Sequence, residues 1–327
     1  MLGQFVQFVL ALTLLSFLIK KKKIQYVEKY IIISYFIQSV IEIVALMFPS
    51  FAQILLIFNR SENLYEGYGG VRGLSLSSAP GWSLALSFGL VYILMAKRFL
   101  STEFNAVDCF IYLVCIVGTL FAGRTGFVGL LYAGIMVVIY KHLNIAYILK
   151  VIFLLLLFVT AIYYVALSIP SLYNVFAEQV FPFAFEWYYS MEETGEASTA
   201  STDVLMKMWE VLPSFSQFWL GDGWFLSPTG DSYYKKVDVG ILRNLFYWGI
   251  GGYIVVIYYQ VKQLKPLWND KRDGLYRLMG IIILLYFFTM ELKAMTVGFN
   301  KMTFSIVILV AFSYLYRTSY LQSYLRK

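Results

Sequence analysis

The sequence predicts an all-α fold, a polytopic transmembrane bundle of about nine or ten helices with one large extracytoplasmic loop that contains short helices. Composition is the first reason: 60% of the 327 residues are hydrophobic and only 14% are charged. Soluble domains carry roughly 25% charged residues, and only lipid could solvate so much apolar surface. Aromatic residues reach 19%, and Tyr and Trp favour the ends of membrane helices.

Nine apolar segments are long enough, or nearly so, to cross the roughly 30 Å of membrane hydrocarbon. They are 2–19, 30–48, 81–96, 107–122, 126–140, 148–168, 241–260, 275–291 and 297–316. Residues 50–58 are also apolar, and they either extend the second helix after Pro49 or re-enter the outer leaflet. The chain therefore divides into N-terminal helices in 1–168, a loop at 169–240 and C-terminal helices in 241–327.

The first apolar segment is followed, not preceded, by the charged run Lys20 to Lys23. A cleaved signal peptide has the opposite order, so we expect a retained first helix whose C-terminal end lies inside. With the N-terminus outside, 17 of the 26 basic residues fall in cytoplasmic segments. This bias follows the positive-inside rule, and it predicts that the long loop lies on the outer side.

The net charge of +7 does not indicate a nucleic-acid partner, because the basic residues cluster between apolar segments, where they orient helices in lipid. Cys109 and Cys115 are too few for a disulfide framework and lack metal-ligand spacing, so we expect two buried free thiols. The single histidine, His142, falls on the inner side. A Ser-His-Asp apparatus or a histidine metal cluster in the outer loop is therefore excluded.

The loop at 169–240 holds ten acidic residues, three lysines and 16 aromatic residues. Loops of this length without structure of their own are uncommon unless they are functional. A helix is predicted inside it, because N-cap residues at 198–202 precede apolar residues at helical spacing in 204–212, and Pro213 ends the run. This amphipathic helix would lie on the membrane surface or cover a cavity.

Two arginines beside glycines are candidate anion sites. Arg124 lies in the Gly-Arg-Thr-Gly-Phe-Val-Gly segment at 123–129, between two predicted helices. A guanidinium grips phosphate with two hydrogen bonds, although Arg124 could instead extend to the lipid headgroups. Arg72 lies in the glycine-rich segment 66–75. This segment lacks the Gly-Lys-Ser/Thr ending of a phosphate-binding loop, and a surface turn with a headgroup contact is its alternative.

A third group of candidates lies between residues 221 and 245, where Gly-Asp-Gly-Trp precedes Asp-Val-Gly-Ile-Leu-Arg-Asn-Leu. Asp238 is close to the start of a predicted helix, so it could cap that helix or form a salt bridge. It could equally act as a general base or hold a sugar hydroxyl. Within the second span, Glu42 is either a functional group or the partner of a basic residue on another helix. Glu291 and Lys293 are expected to pair locally at the outer end of the eighth span.

The order of these elements resembles a known family. The Gly-Arg-Thr-Gly turn, the large outer loop with Gly-Asp-Gly-Trp, and the Asp-Val-Gly-Ile-Leu-Arg-Asn-Leu segment before a Trp-Gly-Ile-Gly-Gly helix resemble the Wzy-type polymerases of bacterial O-antigen and capsular polysaccharide, in the O-antigen polymerase/ligase superfamily. The topology covers nearly the whole chain, and the motifs are residues 72–74, 123–126 and 221–252.

The resemblance implies a multi-pass, metal-independent glycosyltransferase of the bacterial inner (cytoplasmic) membrane that uses no cofactor. Such an enzyme transfers a growing glycan from undecaprenyl pyrophosphate to a lipid-linked oligosaccharide repeat unit at the outer face. Membrane lipid, a chain-length regulator and a flippase are further candidate partners. The product could belong to O-antigen, capsule or exopolysaccharide.

The resemblance also suggests residue roles. Negative charge develops on the leaving pyrophosphate, and fixed guanidinium groups would stabilise it. Arg124 is the first catalytic candidate, and Arg72 and Arg243 are candidates for substrate binding. A carboxylate would accept the proton of the attacking hydroxyl, and the candidates are Asp238 and then Asp231.

Three further side chains complete the candidate site. Trp224 and Trp219 would offer flat platforms for sugars, and Lys293 is a further substrate-binding candidate. No metal ligand is expected among these residues.

Three other functions stay open on the sequence. An O-antigen ligase is expected to carry a histidine late in the large loop, where this chain has an aspartate, so the polymerase is favoured. A transporter or flippase of lipid-linked sugars would usually show repeated halves, broken helices or rows of intramembrane charge. Only Glu42 supports that reading, and no repeat is visible. A structural membrane subunit is the third alternative.

Overall fold

Helices make up nearly all the regular structure of the described residues, apart from an isolated antiparallel bridge between Leu226 and Tyr233. The computed structural model of the protein describes residues 2–59, 62–67, 70, 72–77, 79–101, 105–142, 160, 164, 168, 173, 177, 181–195, 199–230, 232–269, 273–296 and 300–325. The predicted all-α class is confirmed for these residues.

The helices are numbered here in chain order. They are α1 (Leu2–Lys20), α2 (Val27–Met47), α3 (Pro49–Asn59), α4 (Glu62–Gly67), α5 (Trp82–Ser101), α6 (Ala106–Ala122), α7 (Phe127–Lys141), α8 (Phe181–Ala184), α9 (Glu186–Thr194), α10 (Ala200–Trp209), α11 (Phe215–Leu220), α12 (Gly240–Trp268), α13 (Gly274–Glu291) and α14 (Lys301–Leu325). Short 3₁₀ turns precede α2 and α7 and follow the Leu226–Tyr233 bridge.

Six of the described helical segments are long and apolar enough to cross a membrane, which indicates a multi-pass membrane protein. They are Ile24–Met47, Trp82–Ser101, Arg124–Lys141, Gly240–Trp268, Gly274–Glu291 and Lys301–Ser319. Shorter apolar helices lie at Phe5–Lys20, Pro49–Asn59 and Ala106–Ala122. The predicted span at 148–168 falls almost entirely outside the described residues, so the count of nine or ten stays a prediction.

Residues 50–58 form a helix of their own and do not extend the second span. The backbone leaves helical geometry at Phe48, and α3 begins at Pro49. Proline suits the first position of a helix, because its missing N–H would have no intrahelical partner there.

Contacts divide the chain into two compact units, residues 34–199 and residues 1–33 with 200–327. In the first unit, α5 packs against α6 and α7. Every side chain from Leu84 to Lys97 in α5 is buried, as expected for a helix that is apolar on all faces. A Cβ on Gly129 of α7 would overlap the backbone of Gly89, so these glycines allow α5 and α7 to approach closely.

The two cysteines are free thiols, but only one of them is buried. Cys115 is buried on the side of α6 that packs against α5, and Cys109 is exposed. The expectation of two buried thiols is wrong for Cys109. Six residues on a helix rotate by roughly 600°, which places the two side chains about 120° apart around the axis.

In the second unit, α12 packs against α13 and α14, and α1 packs against α14. The predicted loop helix is present as α10, and it covers the start of α12. Its Leu205, Met208 and Trp209 pack against a buried cluster of Val237, Val239, Leu242 and Phe246. The helix ends at Trp209, earlier than predicted, and Leu212 is exposed.

Candidate functional site

Within the unit formed by residues 34–199, Arg72 and Arg124 meet at one turn. The turn joins α6 to α7 at Gly123. Arg72 donates from Nε and Nη2 to the carbonyl oxygen of Ala122, at 3.2 and 2.8 Å, and so caps the end of α6. A Cβ on Gly123 would lie 3.0 Å from Arg72 Nη2. Arg124 is the next residue, so the turn brings two guanidinium-bearing residues to one end of a candidate membrane span.

Arg124 is ion-paired with a residue of the loop. Its Nη2 lies 2.5 Å from Oε2 of Glu186, the first residue of α9. The Arg124 side chain is 24% exposed and the Glu186 side chain is 32% exposed, so water or a ligand can reach the pair. The alternative of Arg124 extending freely to the headgroups is therefore not the arrangement observed. His142 follows the opposite end of α7, about 22 Å away along the helix.

The glycines around Arg124 have a packing role. A Cβ on Gly126 would lie 2.5 Å from Thr119 Cγ2 and 2.9 Å from the carbonyl oxygen of Ala85. Together with the contact between Gly129 and Gly89, this leaves no room for a side chain at Gly126 or Gly129. The Gly-Arg-Thr-Gly motif thus fixes the arginine against α5 and α6.

In the unit formed by residues 1–33 and 200–327, the Gly-Asp-Gly-Trp and Trp-Gly-Ile-Gly-Gly motifs dock onto each other. Helix α12 is broken at Gly249, which has φ +64° and ψ 177°. Asp222 and Gly223 donate their backbone N–H groups to the carbonyls of Phe246 and Tyr247, at 2.6 and 3.2 Å. A Cβ on Gly221 would lie 2.6 Å from the Tyr247 oxygen. Only glycine permits this approach of the loop to the helix.

The docked turn is fastened by its aspartate. Asp222 Oδ2 accepts hydrogen bonds from Gln217 Nε2 and from the Tyr234 hydroxyl, both at 2.7 Å. The hydrogen bond to Asp222 raises the pKa of Tyr234 above its ordinary value. Asp222 therefore orders the loop, and its side chain already accepts two donors.

Arg243 is held between two aromatic rings. Its Cζ lies 3.8 Å from the centroid of Tyr233 and 4.2 Å from that of Phe225. Nη1 donates to Asp238 Oδ1 at 2.7 Å, and Nη2 is buried with no hydrogen-bond partner in the described part of the chain. Only 9% of the Arg243 side chain is exposed. A substrate phosphate would reach this guanidinium only if the sandwich opened.

Asp238 is a partly exposed carboxylate in a salt bridge with Arg243. The N-cap residue of α12 is Val239, which makes no side-chain cap bond. Of the two structural roles expected for Asp238, helix cap and salt bridge, the salt bridge is therefore the one observed. Burial raises the pKa of Asp238 above its ordinary value, while Arg243 and Lys293 act in the opposite direction. The carboxylate is 38% exposed. A raised pKa makes a carboxylate a better proton acceptor.

Replacing Arg243 by lysine tests the aromatic sandwich. Lysine keeps a positive charge near Asp238, but it cannot stack a planar group between Tyr233 and Phe225. We expect the free energy of unfolding to fall by about 1–2 kcal/mol, measured as a lower thermal midpoint in detergent. The exposed Arg277→Lys on α13 is the control, and an equal loss in both variants would contradict the role of the rings.

A buried glutamate fixes the loop after α13. Glu291 is 0% exposed, accepts from Asn244 Nδ2 at 2.6 Å and from the Thr296 N–H at 2.7 Å, and also accepts from the Thr296 hydroxyl. A Cβ on Gly240 would lie 2.8 Å from Glu291 Cδ. Glu291 thus joins the 292–296 segment, with Lys293, to the start of α12. The expected local pair of Glu291 with Lys293 stays a prediction.

The remaining predicted residues have diverse surroundings. Trp224 and Trp219 are about half exposed, at 52% and 54%, and Trp219 makes edge-to-face ring contacts with Phe215 and Phe218. Asp231 lies outside the described residues. Glu42 is buried in α2 and accepts from Gln38 at 3.1 Å. Among the described residues, no group of three His, Cys, Asp or Glu side chains could hold a metal ion.

Several contacts of the candidate residues were not predictable from spacing. Glu186 pairs with Arg124 across 62 residues, and Gly221 meets Gly249. The clustering of glycines in both motifs was the available signal, because glycine often marks a close backbone approach. No family model, no curated protein and no solved structure matches the chain. The function proposed below therefore rests on the residues themselves.

Proposed function

We propose that the protein is a polysaccharide polymerase of the bacterial inner membrane. It transfers a growing glycan from undecaprenyl pyrophosphate to a lipid-linked oligosaccharide repeat unit, and the loop at 169–240 lies on the outer face. The six candidate spans support a membrane enzyme. The order of the motifs supports this family of reactions over others.

The observation that carries the proposal is the turn at Gly123. It places Arg72 and Arg124 at one end of the candidate span Arg124–Lys141. A pyrophosphate at the membrane surface needs fixed positive groups, and guanidinium groups near a low-dielectric region stabilise developing charge well. Arg124 keeps an accessible guanidinium, and its present partner Glu186 is a carboxylate that a phosphate group could replace.

The reaction forms one bond and breaks another. The oxygen of an acceptor sugar hydroxyl bonds to the anomeric carbon of the donor glycan, and the bond from that carbon to the pyrophosphate oxygen breaks. The electron pair leaves with the pyrophosphate, where Arg124 and Arg72 stabilise the charge. The hydroxyl proton passes to a carboxylate, a role that the sequence motif suggests for Asp238. Trp224 and Trp219 would hold sugar rings.

Arg243 has a different proposed role from the other two arginines. It is enclosed by Phe225 and Tyr233 and paired with Asp238. We assign it to positioning Asp238 and the 225–233 segment. This replaces direct substrate binding, because contact with a lipid-linked pyrophosphate would require the aromatic sandwich to open.

The break in α12 at Gly249 is the observation closest to a transporter. Broken membrane helices in transporters expose backbone groups that bind substrate or ions. Here the carbonyls of Phe246 and Tyr247 accept hydrogen bonds from Asp222 and Gly223. At these two carbonyls, the break therefore binds the loop of the protein itself.

Deleting the gene in its native host separates the candidate functions. A polymerase predicts loss of the polysaccharide ladder on a gel, with single capped repeat units remaining. Accumulation of full-length carrier-linked polymer would indicate a ligase, and absence of repeat units at the outer face would indicate a flippase. Restoring the wild-type gene on a plasmid must restore the ladder. An unchanged ladder in the deletion strain would contradict the proposal.

A further inference from the structure

A groove lies between the C-terminal parts of α12 and α14, far along both helices from the residues discussed above. It has a volume of about 420 Å³ and is lined by Lys262, Lys265, Asn269, Tyr314, Leu315 and Thr318, with Pro266 between the lysines and Asn269. Pockets of roughly 300–1,000 Å³ suit small ligands. The groove is therefore large enough for a polar headgroup.

The position of the groove is at one end of two candidate membrane spans. One span ends at Trp268, and Asn269 is the C-cap residue of α12. The other span ends at Ser319, next to Thr318. Both helices bring their C-terminal ends to the groove. It therefore lies where apolar helix surface gives way to water, which is the depth of lipid headgroups.

The lining combines positive charge with hydrogen-bond donors. Lys262 and Lys265 are exposed, and no carboxylate is among the described residues that line the groove. The Lys262 ammonium lies 5.0 Å from the centroid of the Tyr258 ring, one turn earlier on α12, which holds it at the surface. Pro266 has no N–H to donate to the Lys262 carbonyl, so that carbonyl lacks its usual intrahelical donor.

The rear wall is held by a polar cluster. The ring of Tyr314 lies 4.3 Å from that of Tyr276, centroid to centroid. The Tyr276 hydroxyl donates to Glu28 at 2.5 Å and accepts from Arg317 at 3.1 Å. Glu28 is the carboxylate of this cluster, and it accepts the hydrogen bond of the Tyr276 hydroxyl. The wall is therefore ordered before any ligand binds, which reduces the entropy cost of binding.

From these observations we infer a binding site for the phosphate-containing headgroup of an anionic phospholipid. Two ammonium groups and an amide would contact the headgroup, while Leu315 borders the start of its acyl chains. Basic pockets between membrane helices bind anionic headgroups by this combination of charge and donors. On the topology proposed above, the site faces the cytoplasmic leaflet. It takes no part in the reaction assigned to Arg124, so it holds whether or not the protein is a polymerase.

The surroundings of the groove favour a lipid headgroup over free phosphate as its ligand. Lipid is present at the membrane surface at high local concentration, and part of the groove is apolar, which an inorganic ion would not use. An anionic lipid gains roughly 1 kcal/mol from each basic residue near the surface. Removing both lysines should therefore weaken binding by at least about tenfold.

The test uses the full-length protein, purified in a neutral detergent and titrated with phosphatidylglycerol or phosphatidylcholine. Bound lipid is counted by native mass spectrometry. We expect tighter binding of phosphatidylglycerol, and at least a tenfold loss of affinity in Lys262→Ala/Lys265→Ala. The conservative pair Lys262→Arg/Lys265→Arg should keep most of the affinity, because it keeps both charges.

The matched control is Lys20→Ala/Lys21→Ala, which removes two exposed lysines at the C-terminal end of α1 that do not line the groove. Its affinity should stay within about twofold of the wild type. Equal losses in both double variants, equal binding of the two lipids, or displacement of the lipid by millimolar inorganic phosphate would each overturn the inference. If the double variant cannot be purified, Lys265→Ala is compared with Lys21→Ala in the same way.

Discussion

Cells that carry Arg124→Ala are expected to lose the polysaccharide ladder while the variant inserts at normal levels. The guanidinium would stabilise the charge that develops on the leaving pyrophosphate, and removing one such donor typically costs on the order of 10²–10³ in rate. The cost to folding should be small, because the pair with Glu186 is partly exposed and such pairs contribute about 0–1 kcal/mol. Gel electrophoresis of the polysaccharide and an immunoblot of membranes measure the two effects.

A closely similar ion pair elsewhere provides the control. Arg98 at the end of α5 pairs with Asp108 of α6 at 2.9 Å, with 30% of its side chain exposed. Arg98→Ala therefore removes an arginine of matched exposure and pairing, and it should leave a wild-type ladder. Glu186→Ala distinguishes loss of the guanidinium from loss of the ion pair. It breaks the same pair but keeps Arg124, so chain growth should persist. A wild-type ladder from Arg124→Ala would rule out the proposed role.

Burial of the thiols illustrates what a linear pattern can and cannot predict. Runs of apolar residues predict membrane helices, because their length matches the bilayer, and helices α5, α12 and α13 begin within a residue of the predicted spans. Which side of a helix faces protein depends on its neighbours. Cys115 is buried and Cys109 is exposed for that reason, although both lie in one apolar segment.

The candidate site was predictable in its residue types but not in its pairings. Glycines beside Arg124 indicated a close helix approach, and Gly126 is indeed packed against α5 and α6. That Arg124 is paired with Glu186 depends on how the loop folds back. Likewise, Arg243 looked like a ligand for substrate, since its sequence neighbours do not reveal the flanking Phe225 and Tyr233 rings.

For the carboxylates of Asp238 and Glu291, too, the residue type was predictable but not every partner. Asp238 was expected to cap α12 or form a salt bridge, and the structure selects the salt bridge to Arg243. The hydrogen bonds that Glu291 accepts from Asn244 and Thr296 were not expected from the sequence. A buried carboxylate takes the donors that reach it. Which donors reach it is set by the packing of α12 on α13, which no local pattern encodes.

The largest expected effect on folding comes from Gly249→Ala. The backbone of Gly249, at φ +64° and ψ 177°, is a conformation that essentially only glycine adopts, at a cost of about 1–3 kcal/mol for other residues. An added Cβ would also overlap the carbonyl oxygen of Trp219. We expect the 215–223 segment to detach from α12, which would expose it to protease, lower the thermal midpoint in detergent and abolish the ladder.

Gly251→Ala is the control from the same motif. Gly251 is helical, and a Cβ there would have no atom within 4 Å, so alanine should be neutral or stabilise α12 by up to about 1 kcal/mol. The two substitutions add the same methyl group two residues apart on one helix, and only one of them meets the docked loop. Equal protease resistance in both variants would mean that the break at Gly249 is not what holds Gly-Asp-Gly-Trp in place. If Gly249→Ala lost the ladder but kept its protease resistance, Gly249 would be needed for chain growth rather than for holding the turn in place.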